Sequence, residues 1–288
     1  MIKHTVKKLP SNTFEIIIEI SWDEIEKEYK TAFDLILAEF SFEGFRKGKV
    51  PSQIAQKHIP KDQVYSQLIR TLLPRIYEEI IKKEGLKPIV SPKIDLVKAK
   101  EKETWQIKAT LAEKPTVDLG EYRKKLLDIK AGMKKDDIWV PGKDEAKKED
   151  QAAKNDKILS AALSLILKEV KCEIPLLLIE SELNRKLTAL IDDVQKIGLT
   201  VDNYLQSKGL TMDKLKEQYT KEITDMYKLE FILLEIADKE QIKVEQADLD
   251  KLFGALKTEK EQQAAKANSY FYASVLRKQK TLDFLISL

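Results

Sequence analysis

An α+β unit followed by a mostly α-helical one is the fold class this sequence predicts, on three observations. Strand-like alternation of apolar and polar residues occurs at 2–8, 14–20, 89–98 and 103–112. From residue 157 onward apolar residues recur instead at spacings of three and four. Between the two regimes, 123–157 is dominated by Lys, Asp and Glu, with Gly132, Pro141 and Gly142 as breakers. A period of two marks strands, a period near 3.6 marks helices, and charge-rich runs with breakers mark connections. The expected organisation is an α+β domain over 1–115, a charged linker over 116–157 and a helical domain over 158–288.

The first pair of strands is separated by Pro10-Ser11-Asn12, a turn cluster. A helix should begin at Ser21, where Ser21 and Glu24 have the spacing of a capping box. Trp22, Ile25, Tyr29, Phe33, Ile36 and Phe40 then give it one aromatic-rich face, which packs on the sheet. A short helix should follow Pro51, and Asp62 can cap the next, where apolar pairs from Val64/Tyr65 to Ile80/Ile81 recur every four residues. Pro74 interrupts that stripe, so a kink or a junction of two helices is expected there. Gly85 and Pro88 end the element, and a hairpin turning at Lys100-Glu101-Lys102 closes the domain.

Between the first two helices lies Gly44-Phe45-Arg46-Lys47-Gly48-Lys49-Val50-Pro51. Two glycines permit tight reversals, and the proline suits the start of a helix. The segment therefore reads as a loop that displays Phe45, Arg46 and Lys47, and an aromatic ring beside an arginine is the make-up of a binding hot spot. It resembles the GFRxGxxP signature of trigger factor, the ribosome-associated chaperone, with every fixed position filled. The β-β, helices, β-β order of residues 1–115 is similar to the ribosome-binding domain of that family. Lys114-Pro115-Thr116-Val117-Asp118-Leu119-Gly120-Glu121-Tyr122 is similar to the segment that leaves it.

Within the charged stretch Ile138-Trp139-Val140 is a small apolar patch, and Trp139 reads first as a ring that ties the linker to a neighbour. Full-length members of the family that this chain resembles carry an FKBP-like prolyl isomerase domain near this point. No segment with the necessary strands, glycines and aromatic pocket is present, so isomerase activity does not carry over. Beyond it, Pro175 should open a helix with a stripe from Leu176 to Ile197, and Thr211 should cap a long helix through Ile236. Helices are also expected over about 245–256 and within 260–287. Ile174-Pro175 before Glu180 and Glu182, Gly198-Leu199 before Tyr204-Leu205, and Ile242-Lys243-Val244 are similar, in order, to the family's C-terminal region.

Composition limits the chemistry. Of 288 residues, 34% are charged, yet the net charge is only +3, which suits a local basic contact rather than a general nucleic-acid coat. DNA is not an expected partner. One cysteine, Cys172, leaves no disulfide framework and fits a reducing compartment. Met1 to Pro10 lacks the apolar core of a signal peptide, and no apolar run reaches the roughly eighteen residues of a membrane span. The reading is cytoplasmic, with no membrane partner.

His4 and His58 are the only histidines, too few with one cysteine to build a Cys/His metal set. Gly44-x-x-x-Gly48-Lys49-Val50 is one residue short of a phosphate-binding loop and has Val where such a loop needs Ser or Thr. Carboxylates are spread beside lysines on helices, as on solvated faces. No catalytic residue, metal or cofactor is expected, and the chain does not read as an enzyme.

The resemblance implies an ATP-independent chaperone that docks near the exit of the ribosomal tunnel and shields nascent or unfolded chains. Its docking residues would be Gly44, Phe45, Arg46, Lys47, Gly48 and Pro51, with the cations on ribosomal RNA phosphates or acidic side chains of a ribosomal protein. Client contact needs exposed apolar surface. Trp139 and the consecutive Tyr270, Phe271 and Tyr272 are the candidates, because three adjacent rings cannot share one helix face. A homodimer stays open. The competing readings are a prolyl isomerase with an unrecognised site, and a SurA-like or scaffold protein that does not bind ribosomes.

Overall fold

Ile16, Ile18 and Ile20 alternate with Glu15, Ile17 and Glu19, and that alternation decides which face of the central strand is buried. The computed structural model describes residues 2–136, 151–256 and 258–288. It divides into two units, Met1–Lys114 and Pro115–Leu288. In the first, β1 (Ile2–Leu9), β2 (Thr13–Ile20), β3 (Lys93–Lys98) and β4 (Trp105–Ala112) form an antiparallel sheet in the order β1-β2-β4-β3. The register sets Ile16, Ile18 and Ile20 opposite Ala109, Ile107 and Trp105, so one face of the sheet is continuously apolar.

Onto that face pack α1 (Trp22–Glu39) and α3 (Lys61–Glu84), with α2 (Ser52–His58) between them in sequence. Ile25, Ala32 and Phe33 of α1 and Val64, Leu68, Leu72, Ile76 and Ile80 of α3 complete the core. Two local expectations change, and a third narrows from a kink or a junction to a single helix. Ser21 stands at the N-cap of α1, but its side chain makes no cap hydrogen bond. The N-cap of α3 is Pro60, and Asp62 lies in the first turn, where its charge favours the helix dipole. Pro74 sits inside one continuous helix. Pro74 and Arg70, whose carbonyl loses its i+4 donor, are both exposed, so water can satisfy the freed acceptor.

The second unit contains a short antiparallel pair, β5 (Val117–Asp118) with β6 (Lys171–Cys172). Its helices are α4 (Tyr122–Asp136), α5 (Gln151–Glu169), α6 (Leu176–Lys196), α7 (Val201–Ser207), α8 (Met212–Lys239), α9 (Gln246–Gly254), α10 (Glu259–Ala267) and α11 (Ser269–Ser287). Leu126, Ala162, Ile166, Ile232, Ile236 and Leu285, from α4, α5, α8 and α11, meet in one core. Leu249, Phe253 and Ala265 form a smaller one, packed by Tyr272 and Leu276 of α11. Thr211 caps α8 by accepting from the Lys214 N–H at 3.3 Å, as its place in the sequence predicts. The last helical segment is two helices, and Thr258 with Glu261 forms a capping box on α10.

The described part of the segment read as a linker over 116–157 belongs instead to the second unit. Leu119, Tyr122 and Leu126 lie on one side of the chain and are buried, although Arg123, Lys124, Lys125 and Asp128 dominate the composition around them. Spacings of three and four were present, but so few apolar residues make a weak stripe. Tyr122 also donates a hydrogen bond to Glu240 Oε1 at 2.8 Å, and buried Lys130 donates to the Ile286 carbonyl oxygen at 2.5 Å. Trp139 lies outside the described residues.

Candidate functional site

The loop 44–51 is built from two successive turns. The Phe45 N–H donates to the Phe42 carbonyl oxygen at 3.0 Å, and the Lys49 N–H to that of Arg46 at 2.9 Å. Gly44 and Gly48 each occupy the third position of their turn, with φ of +82° and +73°. A type II turn requires positive φ there, which is why the sequence repeats a glycine four residues on. Gly48 carries a second constraint. Its N–H donates to the Phe40 carbonyl oxygen at 2.9 Å, and a Cβ on it would lie 2.5 Å from the Ala38 carbonyl oxygen.

The far end is equally fixed. Val50 is buried in the core of the first unit, and Pro51 stands at the N-cap of α2, where its carbonyl oxygen accepts from the Ile54 and Ala55 N–H groups. Below the tip, Phe42 stacks on Phe40 with centroids 6.4 Å apart and meets His58 in a tilted contact at 4.4 Å. His58 is thus the exposed helix-end residue that the sequence suggested, with its ring used to brace the loop.

Between these ends the tip leaves Phe45, Arg46 and Lys47 exposed, with Phe45 retaining 40% of its accessible surface. Large apolar rings held in water by a rigid loop gain their area back on docking. Lys47 forms an ion pair with Glu39 of α1, whereas Arg46 has no ion-pair partner among the described residues. Glu39 was missed by sequence reasoning, since pairing across a turn leaves no periodic signal. All six residues of the expected docking set are therefore brought together in one loop.

The aromatic run at 270–272 divides as helical geometry requires, with successive side chains about 100° apart. Tyr270 is 88% and Phe271 62% exposed, while Tyr272 turns inward and meets Phe253 edge-on at 5.6 Å. Tyr270, Phe271 and Val275 edge a groove of 650 Å³ between α8 and α11, with Leu233, Ala237 and Thr281 on its buried side. Ile242 and Val244, from the connection between α8 and α9, line it too. In the sequence they stand in Ile242-Lys243-Val244, one of the stretches similar to the family's C-terminal region.

Among the described residues no group of three or more His, Cys, Asp and Glu side chains is arranged to hold a metal ion. Cys172 lies in β6, half-buried, and that burial pushes its thiol pKa up, away from reactivity. Among the described residues no helix is long and apolar enough to cross a membrane.

Comparison with known proteins bears on both units. The family model described as "Bacterial trigger factor protein (TF)" matches residues 2–138, and that described as "Bacterial trigger factor protein (TF) C-terminus" matches residues 142–286. Residues 139–141 alone lie between the two matches. The trigger factor of Pediococcus pentosaceus is 33% identical over 146 residues, covering 51% of this chain and 33% of that protein. That of Lactococcus lactis is 31% identical over 112 residues, covering 39% and 26%, and that of Lactiplantibacillus plantarum is 34% identical over 117 residues, covering 41% and 27%. The chain matches no more than a third of the length of these relatives. A solved structure described as "Promiscuous Substrate Recognition in Folding and Assembly Activities of the Trigger Factor Chaperone" superposes with a TM-score of 0.63 over 98% of this chain and 99% of that one. At 15% identity this likeness speaks of the fold.

Proposed function

The chain belongs to the trigger factor family, and from that premise we propose that it is a cytoplasmic, ATP-independent chaperone that docks at the ribosomal tunnel exit and shields nascent or unfolded chains. The observation that carries the docking half is the loop 44–51, pinned at both ends so that an apolar ring and two cations project together. Arg46 supplies an uncompensated guanidinium for phosphates of ribosomal RNA or for carboxylates of a ribosomal protein, with a salt-sensitive contribution. Phe45 supplies the apolar contact that salt does not screen. Gly44, Gly48 and Pro51 act by shaping the loop.

The client half rests on exposed apolar surface in the second unit. Tyr270 and Phe271 edge the α8–α11 groove, and Leu176 and Ile197, at the two ends of α6, keep 71% and 66% of their surface exposed. Separate patches that each bind weakly favour many clients over one, because no single pocket must fit. Tyr272 is assigned to packing on Phe253 instead.

We do not assign prolyl isomerase activity. The two family matches follow one another with only 139–141 between them, which favours a form without the isomerase insert. The decisive experiment is co-sedimentation with ribosomes across a salt series. Replacing Phe45, Arg46 and Lys47 together by Ala should abolish binding while circular dichroism stays unchanged. Binding by that variant equal to that of the parent at moderate salt overturns the docking assignment. A proline-limited refolding assay should show no acceleration, and a clear one would restore the enzymatic reading.

A further inference from the structure

With eight positions, the loop 44–51 is too small to hold a partner alone. A specific, stable contact between proteins takes roughly 20–30 residues a side and about 800 Å². Val50 is buried and the two glycines carry no side chain, so the docking surface has to continue past the loop. Exposure marks the side on which it continues. Over residues 22–85, which hold α1, α2, α3 and the loop, only two large apolar side chains stay exposed, Phe45 and Leu35. Leu35 keeps 48% of its surface. It edges an open cleft of 380 Å³ between α1 and the start of α3, with Ile36 and Phe40 on one wall and Gln63 and Gln67 on the other. Ile36 and Phe40 also pack on the core of the first unit, which fixes the floor.

Two contacts join the cleft to the loop. The Phe40 carbonyl oxygen accepts from the Gly48 N–H at 2.9 Å, and Glu39, on the cleft rim, forms the ion pair with Lys47. The lining decides the chemistry. None of the residues that line the cleft is a cation, and its one charge, Glu39, already has Lys47. A phosphate would meet nothing there to neutralise it and a carboxylate to repel it. The amides of Gln63 and Gln67 offer both donors and acceptors, which suits peptide groups, and an apolar floor with a few polar groups suits an inserted side chain. We propose that this cleft is a second docking subsite, which takes an apolar side chain of a ribosomal protein. This rests on the docking reading of the loop 44–51. It divides the contact in two, since salt screens what Arg46 contributes and spares what Leu35 contributes.

The test uses the full chain with intact bacterial ribosomes. Leu35→Ser, at an exposed position, should weaken co-sedimentation about five- to tenfold and leave the slope against salt unchanged, because no cation is lost. Separately, p-benzoylphenylalanine placed at Gln63, on the α3 wall, should cross-link to a ribosomal protein on irradiation. A cross-link to ribosomal RNA, or none to a protein, overturns the assignment of the partner. Binding by Leu35→Ser equal to that of the parent overturns the subsite. Docking by the loop then still stands if replacement of Phe45, Arg46 and Lys47 by Ala abolishes binding. No binding by the parent chain overturns both.

Discussion

Gly48→Ala tests whether the proposed docking tip is held by geometry rather than by its displayed side chains. The φ of +73° is one that Ala adopts only at a cost of about 1–2 kcal/mol. The added Cβ would stand 2.5 Å from the Ala38 carbonyl oxygen, against at least 3.4 Å in an ordinary contact, so something must move by about 0.9 Å. The obstructing atom is backbone in the last turns of α1, which cannot swing aside like a side chain. The loop lifts instead and loses the Gly48 N–H bond to Phe40, worth about 0.5–1.5 kcal/mol. The total cost is about 1.5–3.5 kcal/mol. Gly44→Ala is the control, with a similar positive φ but open space around its Cβ, so only the first cost of about 1–2 kcal/mol applies. Urea unfolding can be followed by Trp22 and Trp105, both in the first unit, in a Trp139→Phe background. With a slope of about 2 kcal/mol/M, the midpoint should fall by about 1–2 M for Gly48→Ala and about half that for Gly44→Ala. Ribosome co-sedimentation should weaken more in Gly48→Ala, although neither glycine has a side chain to contribute. Equal midpoints for the two variants refute the steric argument.

Other perturbations read other parts of the same account. Arg46→Ala should weaken ribosome binding and lower the slope of its salt dependence by about one, because one phosphate-competent cation is lost. Leu126→Ala, at a fully buried site of α4, should destabilise the second unit by about 2–5 kcal/mol. Calorimetry measures it, and a change within about 0.5 kcal/mol, as at an ordinary surface site, would return α4 to the linker. Burial first, then the charge of Glu101 and a hydrogen bond to it, push the Tyr65 phenol up to about 12. A raised pKa means that the folded state holds its proton longer. The contribution is full below the unfolded value near 10 and is lost as pH rises from there towards about 12. Phenolate absorbance should show this, and Tyr65→Phe should flatten the alkaline loss of stability over that window.

The loop 44–51 was legible because its constraints are local. Two turns, two positive φ angles and a helix start each demand a particular residue within eight positions, so the sequence has to spell them out. Pairings that join distant stretches leave no such mark. Glu39 with Lys47, and Arg277 with Asp238, are consequences of packing. Tyr272 shows the same limit: three adjacent rings announce that one must differ, and only Phe253 decides which.

The segment read as a linker shows how composition misleads when a buried stripe is thin. Leu119, Tyr122 and Leu126 are three apolar residues among many charges, yet they enter the same core as Ala162 and Ile166 of α5. Lys125 of α4 and Glu169 of α5 form an ion pair that ties the two helices again at the surface. The charges that suggested a solvated connection are thus the outer face of a packed helix. α4 and α5 flank the junction at 138 and 142 where the N- and C-terminal family matches meet. Their direct packing shows that the second unit builds its core from both sides of that junction. Leu126→Ala therefore probes the joint itself. If α4 were only a tether, the core made by Ile166, Ile232 and Leu285 would not register the loss of a side chain at 126.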